Sequence, residues 1–191
     1  MNDLPAVSPK ILKEIQRRSS ELNFSMPSDL QTGSLLRTLA ASKPGGSILE
    51  IGTGTGLSLS WLIEGMDQDS TIISIDNSPE FQQVAQDMFA DDHRLTFVCE
   101  DAKNWILNNQ DKRFDLIFAD AWPGKYEILE ETLSLLKKGG LYIIDDMLPQ
   151  PNWPAGHDEN AEQLVEKLAA IQGIQQTRLN WSTGLIVISK V

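Results

Sequence analysis

The sequence predicts an α/β protein with a doubly wound, mostly parallel sheet, helices on both faces and a C-terminal antiparallel hairpin. Two observations predict this class. Five short apolar segments alternate with helix-like segments between residues 47 and 144, which is typical of a parallel sheet covered by helices. The last two apolar segments are joined only by residues 180–184, a connection that permits a hairpin but is too short for a helical crossover.

The composition limits what the chain can be and what it can bind. Its 191 residues suffice for one domain with a sizeable core. A net charge of −11 disfavours nucleic-acid and anionic-membrane partners, because no basic surface can be assembled easily. The chain has no apolar run of the length that a membrane span needs. With Cys99 as the one cysteine, no internal disulfide can form, so we expect a reducing, cytoplasmic location.

The individual elements can be assigned in chain order. Two helices are predicted before the sheet, the first capped by Ser8 and Pro9 and the second opened by a capping box at 28–31. Ser78 and Pro79 are expected to begin a later helix. Strands are predicted at 47–51, 71–75, 95–99, 114–119 and 141–144, with hairpin strands at 174–179 and 185–188. Late helices are predicted at 126–136 and 158–171.

A glycine-rich turn follows the first predicted strand. Gly52, Gly54 and Gly56 stand at every second position, between an apolar segment and a helix-like pattern. Glycine lets the chain turn sharply and lets a ligand approach the backbone closely. The third glycine comes one residue too early for the dinucleotide fingerprint G-x-G-x-x-G. A turn without any ligand is the alternative interpretation.

Residues 50–56 resemble the S-adenosylmethionine loop of Rossmann-like methyltransferases, written E/D-x-G-x-G-x-G. The resemblance implies S-adenosylmethionine as cofactor and one methyltransferase domain over residues 1–191, with N-terminal helices in 1–43 and the Rossmann-like core in 44–191. It assigns cofactor-binding roles to the loop and the start of the next helix: Glu50, Gly52, Thr53, Gly54, Gly56 and Ser58. This prediction requires open space above Gly54.

Acidic residues stand at the carboxyl ends of the predicted strands, where ligands bind in such sheets. Asp76, with Asn77 beside it, comes about one βα unit after the glycines, where a carboxylate can accept hydrogen bonds from both ribose hydroxyls. We therefore expect Asp76 to face the cleft. Asp101 and Ala102 are expected at the adenine edge, and Asp120 at the cofactor pocket. Helix capping is the alternative role for such residues, because Asp is common after strands.

From about residue 31 onward, the chain resembles the cation-dependent O-methyltransferases of the catechol and caffeoyl-coenzyme A type. The resemblance rests on residues 31–36, the loop that ends at Ser58, the segment from Asp120 to Tyr126, and the pair Asp145–Asp146. It implies methyl transfer to a hydroxyl and a divalent cation of the Mg²⁺ type held by Asp120, Asp145 and Asp146. Alternatively, Asp120 lines the cofactor pocket while Asp145 and Asp146 brace the next loop.

Two departures from that family affect the catalytic residues. The position of the family's general-base lysine holds Pro123, so Lys125, two residues later, becomes the candidate. The asparagine of the family's acidic pair is Asp146 here.

The loop at 147–157 contains three prolines and ends at His157, a second candidate base near neutral pH. A polar residue at a helix start is the alternative role for His157. Trp122 and Trp153 are expected to form an apolar lid over a small substrate.

The sequence thus predicts a cytoplasmic, S-adenosylmethionine-dependent methyltransferase that acts on the hydroxyl of a small molecule. We expect no nucleic-acid or membrane partner, and the composition leaves a homodimer open. The alternatives are a dinucleotide-dependent oxidoreductase and a non-catalytic binding protein on a methyltransferase fold.

Overall fold

The computed structural model describes residues 2–151, 153 and 156–191. Pro154, one of the three prolines in the loop at 147–157, lies outside the described residues. The strands are β1 Ser47–Ile51, β2 Thr71–Asp76, β3 Leu95–Cys99, β4 Phe114–Ala119, β5 Leu136–Ile144, β6 Ile174–Leu179 and β7 Leu185–Lys190. The helices are α1 Leu12–Glu21, α2 Leu30–Ala41, α3 Leu57–Gly65, α4 Pro79–Met88, α5 Ala102–Asn108, α6 Leu129–Ser134 and α7 His157–Ala170.

The seven strands form one sheet in the order β3-β2-β1-β4-β5-β7-β6. Strands β1 to β5 pair in parallel, whereas β7 is antiparallel to both β5 and β6. The predicted fold class and its C-terminal hairpin are confirmed. Because the chain leaves β1 toward β2 on one side and reaches β4 on the other, the carboxyl ends of these three strands meet at a topological switch point.

Strands β1 and β4, at the centre of the sheet, bury apolar side chains on both faces. Leu49 and Ile117 contribute to one buried cluster, while Ile48, Leu116 and Phe118 contribute to the other. Side chains alternate between the faces of a strand, so a continuous apolar run buries both faces at once. The turns at the carboxyl ends of β1 and β4 therefore start from fixed positions.

The helix starts near the N-terminus differ from their predictions. The predicted cap at Ser8 and Pro9 is wrong: helix α1 begins at Leu12, whose amide donates to Pro9 O at 3.0 Å, and a turn at 10–11 separates both residues from the helix. The capping box at 28–31 is wrong, since the N-cap residue Asp29 makes no side-chain capping bond. At α4 the predicted cap is confirmed: Ser78 Oγ accepts from Phe81 N, and Pro79 is the first helical residue.

The predicted helix at 126–136 is wrong over much of its length. Helix α6 covers only Leu129–Ser134, and β5 begins at Leu136 rather than at Leu141. Leu136 pairs with Phe114 and Leu141 with Leu116, so the intervening Lys-Lys-Gly-Gly segment bulges out of the ladder. Strand pairing with β4 thus outweighs the helix-ending pattern of that segment.

Across the described residues, no helix combines the length and apolarity that a bilayer span requires. The assignment of residues 1–191 to a single domain stays a prediction.

Candidate active site

The glycine turn after β1 adopts the backbone conformation that its composition demands. Gly52, Gly54 and Gly56 have φ angles of 101°, 51° and 94°, all in the region that favours glycine. The amides of Gly52 and Thr53 donate to Ile75 O at 2.9 and 3.1 Å. The turn is therefore bonded to β2, directly before Asp76.

Asp76 ends β2 beside the glycine turn. Its half-buried carboxylate accepts hydrogen bonds from Gly54 N at 2.6 Å and from Ser78 N at 2.8 Å, one on each oxygen. Each oxygen keeps a further lone pair, so the two oxygens together can still accept hydrogen bonds from two hydroxyls. These two acceptor oxygens fit the diol of a ribose, and Asn77 lies exposed beside them.

The space above Gly54 is filled, contrary to the prediction that it is open. A Cβ atom at Gly54 would lie 2.7 Å from Phe24 Cζ. Phe24 belongs to the connection between α1 and α2, and its ring meets that of Phe81 edge to face at 4.9 Å. The two rings form an aromatic wall beside the turn. The one sequence signal for this wall was an isolated aromatic residue in a polar connection.

A buried polar network lies beneath the turn. Glu50 is fully buried and accepts hydrogen bonds from Ser58 Oγ at 2.7 Å and from Ser74 Oγ. Ser74 Oγ also bonds Thr53 Oγ1 at 2.6 Å, and Gln82 Nε2 donates to Thr53 Oγ1 at 3.2 Å. The side chains of Glu50, Thr53 and Ser58 are thus satisfied within the protein, and their direct contact with a cofactor stays a prediction.

Burial raises the pKa of Glu50 to about 7, against the opposing effect of the two serine hydroxyls. A folded-state pKa above the ordinary 4.5 means that Glu50 contributes stability below pH 4.5 and loses it as the pH rises through 7. We expect Glu50→Gln, which mimics the neutral acid, to gain about 2 kcal/mol over the wild type between pH 5 and pH 8. Urea unfolding at both pH values measures this difference.

The control for this prediction is Glu100→Gln, which removes the same charge at an exposed position. Its stability relative to the wild type should stay constant within about 0.5 kcal/mol over that pH range. A Glu50→Gln protein that tracks the wild type from pH 5 to pH 8 would contradict the burial of a charged carboxylate.

Asp101 and Ala102 lie just after β3. Asp101 caps the next helix, which is the alternative role considered for the acidic residues that follow strands. Asp101 is the N-cap of α5 and accepts from Asn104 N at 3.1 Å, while Ala102 is buried below it. Their contact with an adenine edge stays a prediction.

Three carboxylates follow β4 and β5. Asp145 is buried, and its Oδ1 accepts from Thr183 Oγ1 and from Asp146 N at 2.8 Å. Burial and the charge of Asp145 raise the pKa of Asp120 well above its usual range, and burial raises the pKa of Asp145 to about 6. Asp146 has a φ of 56°, in the left-handed region, and burial raises its pKa as well.

Lys125 supplies positive charge to the acidic group, which consists of Asp120, Asp145 and Asp146. Trp122 O accepts from the amides of Lys125 and Tyr126, and this tight turn leaves the Lys125 side chain buried. Its ammonium opposes the burial effect by lowering the pKa values of Asp120, Asp145 and Asp146. The lysine two positions beyond the family's position thus still acts on the acidic group.

In their observed conformations, the side chains of Asp120, Asp145 and Asp146 do not form a metal site. Within residues 2–151, 153 and 156–191, no group of three or more His, Cys, Asp or Glu side chains is arranged to hold a metal ion. One oxygen of Asp145 already accepts from Thr183 and from the backbone, and the charge of Lys125 acts on all three carboxylates. This arrangement does not fit a divalent cation, and such a cation stays a prediction from the resemblance.

An aromatic cluster surrounds His157 at the start of α7. The Trp153 ring lies 4.2 Å from the His157 ring at an angle of 30°, and the Trp122 ring lies 6.0 Å away, nearly perpendicular. His157 Nε2 is 2.9 Å from Tyr126 Oη. The two tryptophans therefore pack around His157, and Trp122 is 47% exposed to solvent. Sequence reasoning missed Tyr126 as a partner of His157.

The fold and the glycine turn define a class, the α/β proteins that hold a nucleotide-like ligand at the carboxyl edge of their sheet. A family model described as O-methyltransferase matches residues 3–191. The chain belongs to this O-methyltransferase family. This result supports the methyltransferase interpretation over the dinucleotide-dependent oxidoreductase.

Individual relatives agree with the family assignment. A Mycolicibacterium smegmatis protein, provisionally named an O-methyltransferase, is 32% identical over 117 residues, which are 59% of this chain and 56% of that protein. A Mycobacterium ulcerans protein with the same provisional name is 30% identical over 139 residues, 70% of this chain and 62% of that one. The chain thus aligns with little more than half the length of these relatives.

Solved structures share the fold. The O-methyltransferase TomG from Streptomyces achromogenes, in complex with SAM, superposes with a TM-score of 0.83 at 21% identity, covering 97% of this chain and 91% of TomG. The O-methyltransferase from Bacillus cereus, in complex with SAH, gives 0.83 at 20% identity, covering 98% of this chain and 94% of that one. At this identity the likeness establishes the fold alone.

Proposed function

We propose that this chain binds S-adenosylmethionine at the carboxyl edge of β1 and β2 and methylates a hydroxyl of a small molecule. The observation that carries the proposal is Asp76, which is hydrogen bonded to the glycine turn and still has lone pairs for two ribose hydroxyls. The family assignment supports the same cofactor, as do the SAM and SAH complexes of the neighbours that share the fold.

The residues near Asp76 have distinct roles in this proposal. Gly52, Gly54 and Gly56 hold the turn, and the Glu50 network braces it from below. Asp120, the next carboxylate along the edge, lines the reaction side of the cleft. When bound, S-adenosylmethionine supplies a methyl group activated by its sulfonium, and the C–S electron pair stays with sulfur when the acceptor oxygen takes the methyl. Lys125 and His157 stay candidates for the base.

Calorimetric titration with S-adenosylhomocysteine tests the proposal. We expect binding with a Kd below about 1 mM, the upper end of the usual range for enzyme ligands. An absence of heat at millimolar ligand would overturn it. Turnover is then assayed with S-adenosylmethionine and a panel of catechols and phenols, with and without chelator. A non-catalytic binding protein would bind S-adenosylhomocysteine yet methylate none of the catechols and phenols. The comparison of activity with and without chelator tests the predicted divalent cation.

The proposed partners follow from the same chemistry. A small-molecule acceptor suits the aromatic cluster at Trp122, Trp153 and His157, which offers apolar surface beside polar groups. Cytoplasmic location, the lack of a nucleic-acid partner and a homodimer stay predictions from the sequence.

A further inference from the structure

Tyr126 and His157 are 31 positions apart in the chain and meet beside the acidic group. Tyr126 Oη lies 2.9 Å from His157 Nε2, and the two rings are perpendicular with centroids 5.2 Å apart. His157 is buried, whereas Tyr126 is half-buried. A direct hydrogen bond therefore joins a buried imidazole to a phenol that stands closer to solvent.

We propose that Tyr126 takes the proton of the acceptor hydroxyl while it passes its own proton to His157, so that the two residues act as one base. This inference rests on the proposed function. The acceptor's O–H bond breaks and its proton binds Tyr126 Oη, and the proton that Oη carried binds His157 Nε2. The acceptor oxygen keeps the electron pair that bonds the methyl carbon, and the positive charge ends on the imidazolium.

The charges around the pair set the protonation states of the two rings. Burial, followed by Lys125, lowers the pKa of His157, while Asp146 and Asp158 act in the opposite direction. Burial, followed by Asp146 and Asp120, raises the pKa of Tyr126 to about 12. At neutral pH the phenol therefore keeps its proton and the imidazole is neutral, and the relay requires the tautomer with the imidazole proton on Nδ1, in which the phenol donates to Nε2. The negative charge of Asp146 then favours the imidazolium that the transfer creates.

The same geometry explains why His157 does not act alone. Its Nε2 faces Tyr126 Oη at 2.9 Å, and the Trp153 ring lies over the imidazole at 4.2 Å. Tyr126 Oη keeps a lone pair, and it lies close enough to Asp120 and Asp146 for their charges to affect its pKa. Tyr126 is thus the catalytic residue, and His157 holds the proton behind it.

Nuclear magnetic resonance of the imidazole nitrogens tests the pair without any acceptor. The chain has only two histidines, so exposed His93 is an internal reference. In ¹⁵N-labelled wild type at pH 7.5, we expect His157 as the Nδ1–H tautomer with an unprotonated Nε2. Tyr126→Phe should shift the tautomer populations and leave the His93 signals in place. A protonated Nε2 in the wild type, or an unchanged tautomer in the variant, would overturn the inference.

A kinetic measurement separates proton transfer from a merely structural contact. With 3,4-dihydroxybenzoate as acceptor probe, Tyr126→Phe should lower kcat by about 100-fold or more, with unchanged affinity for S-adenosylhomocysteine. His93→Gln is the control and should keep the wild-type kcat. Full kcat in Tyr126→Phe would refute the relay. If the wild type binds neither cofactor nor probe, the proposed function is refuted instead. The tautomer of His157, measured by nuclear magnetic resonance, then still shows whether Tyr126 and His157 form the inferred pair.

Discussion

Replacing Asp76 by asparagine is expected to weaken the binding of S-adenosylhomocysteine about 100-fold, which corresponds to about 2.7 kcal/mol. The carboxylate accepts from Gly54 N and Ser78 N and offers its remaining lone pairs to the ribose hydroxyls. The amide group of asparagine brings N–H donors to a place where every partner is also a donor. Asparagine keeps one acceptor oxygen, so it loses one of the two ribose hydrogen bonds. Since a hydrogen bond to a charged group contributes about 1.5–3 kcal/mol, the loss of that one accounts for the expected effect.

Calorimetry on the wild type, Asp76→Asn and Asp69→Asn measures this effect. Asp69 is exposed, and its substitution changes the net charge equally. If Asp76→Asn binds S-adenosylhomocysteine within threefold of the wild-type affinity, the ribose is not held by Asp76. Circular dichroism confirms that each variant is folded.

Replacing Lys125 by methionine is expected to destabilise the protein by about 3 kcal/mol at pH 8, because it leaves buried carboxylates without their neighbouring positive charge. The loss should be smaller at pH 5.5. The pKa of Asp145 is about 6 in the folded protein against an ordinary 3.8, so its stabilising contribution is complete below 3.8 and is lost as the pH rises through 6. Without Lys125 that pKa rises further, and protonation relieves the repulsion at the lower pH.

Urea unfolding of Lys125→Met and Lys103→Met at pH 5.5 and pH 8 tests this expectation. Lys103 forms an exposed ion pair with Glu127, at 2.8 Å, and such pairs contribute about 0–1 kcal/mol. A Lys125→Met protein as stable as Lys103→Met at pH 8 would show that Lys125 does not compensate the acidic group.

Strand positions were predictable because they depend on local pattern. The strands Leu95–Cys99 and Phe114–Ala119 occupy the predicted residues, and a five-residue connection correctly indicated the hairpin. The start of β5 was not predictable, because it depends on the pairing of Leu136 with Phe114 across the sheet. Residue propensity carries no information on such a register.

The candidate site was predictable only where the chain itself brings residues together. The glycine turn and Asp76 are joined by strand pairing between β1 and β2, so their proximity followed from the fold. Phe24 over Gly54 and Tyr126 beside His157 are contacts between distant segments. Because the ring of Phe24 contradicts the expected open space, S-adenosylmethionine as cofactor rests on Asp76, the turn and the family.

The position of β7 between β5 and β6 affects how the protein can be made. Residues 185–190 follow β6 in the chain, yet they separate β6 from the rest of the sheet. During synthesis on the ribosome, β6 therefore has no strand to join, and the outer edge of β5 stays unpaired until β7 emerges. An unpaired edge can pair with other chains, so the nascent protein is exposed to aggregation in the interval between the synthesis of β5 and that of β7.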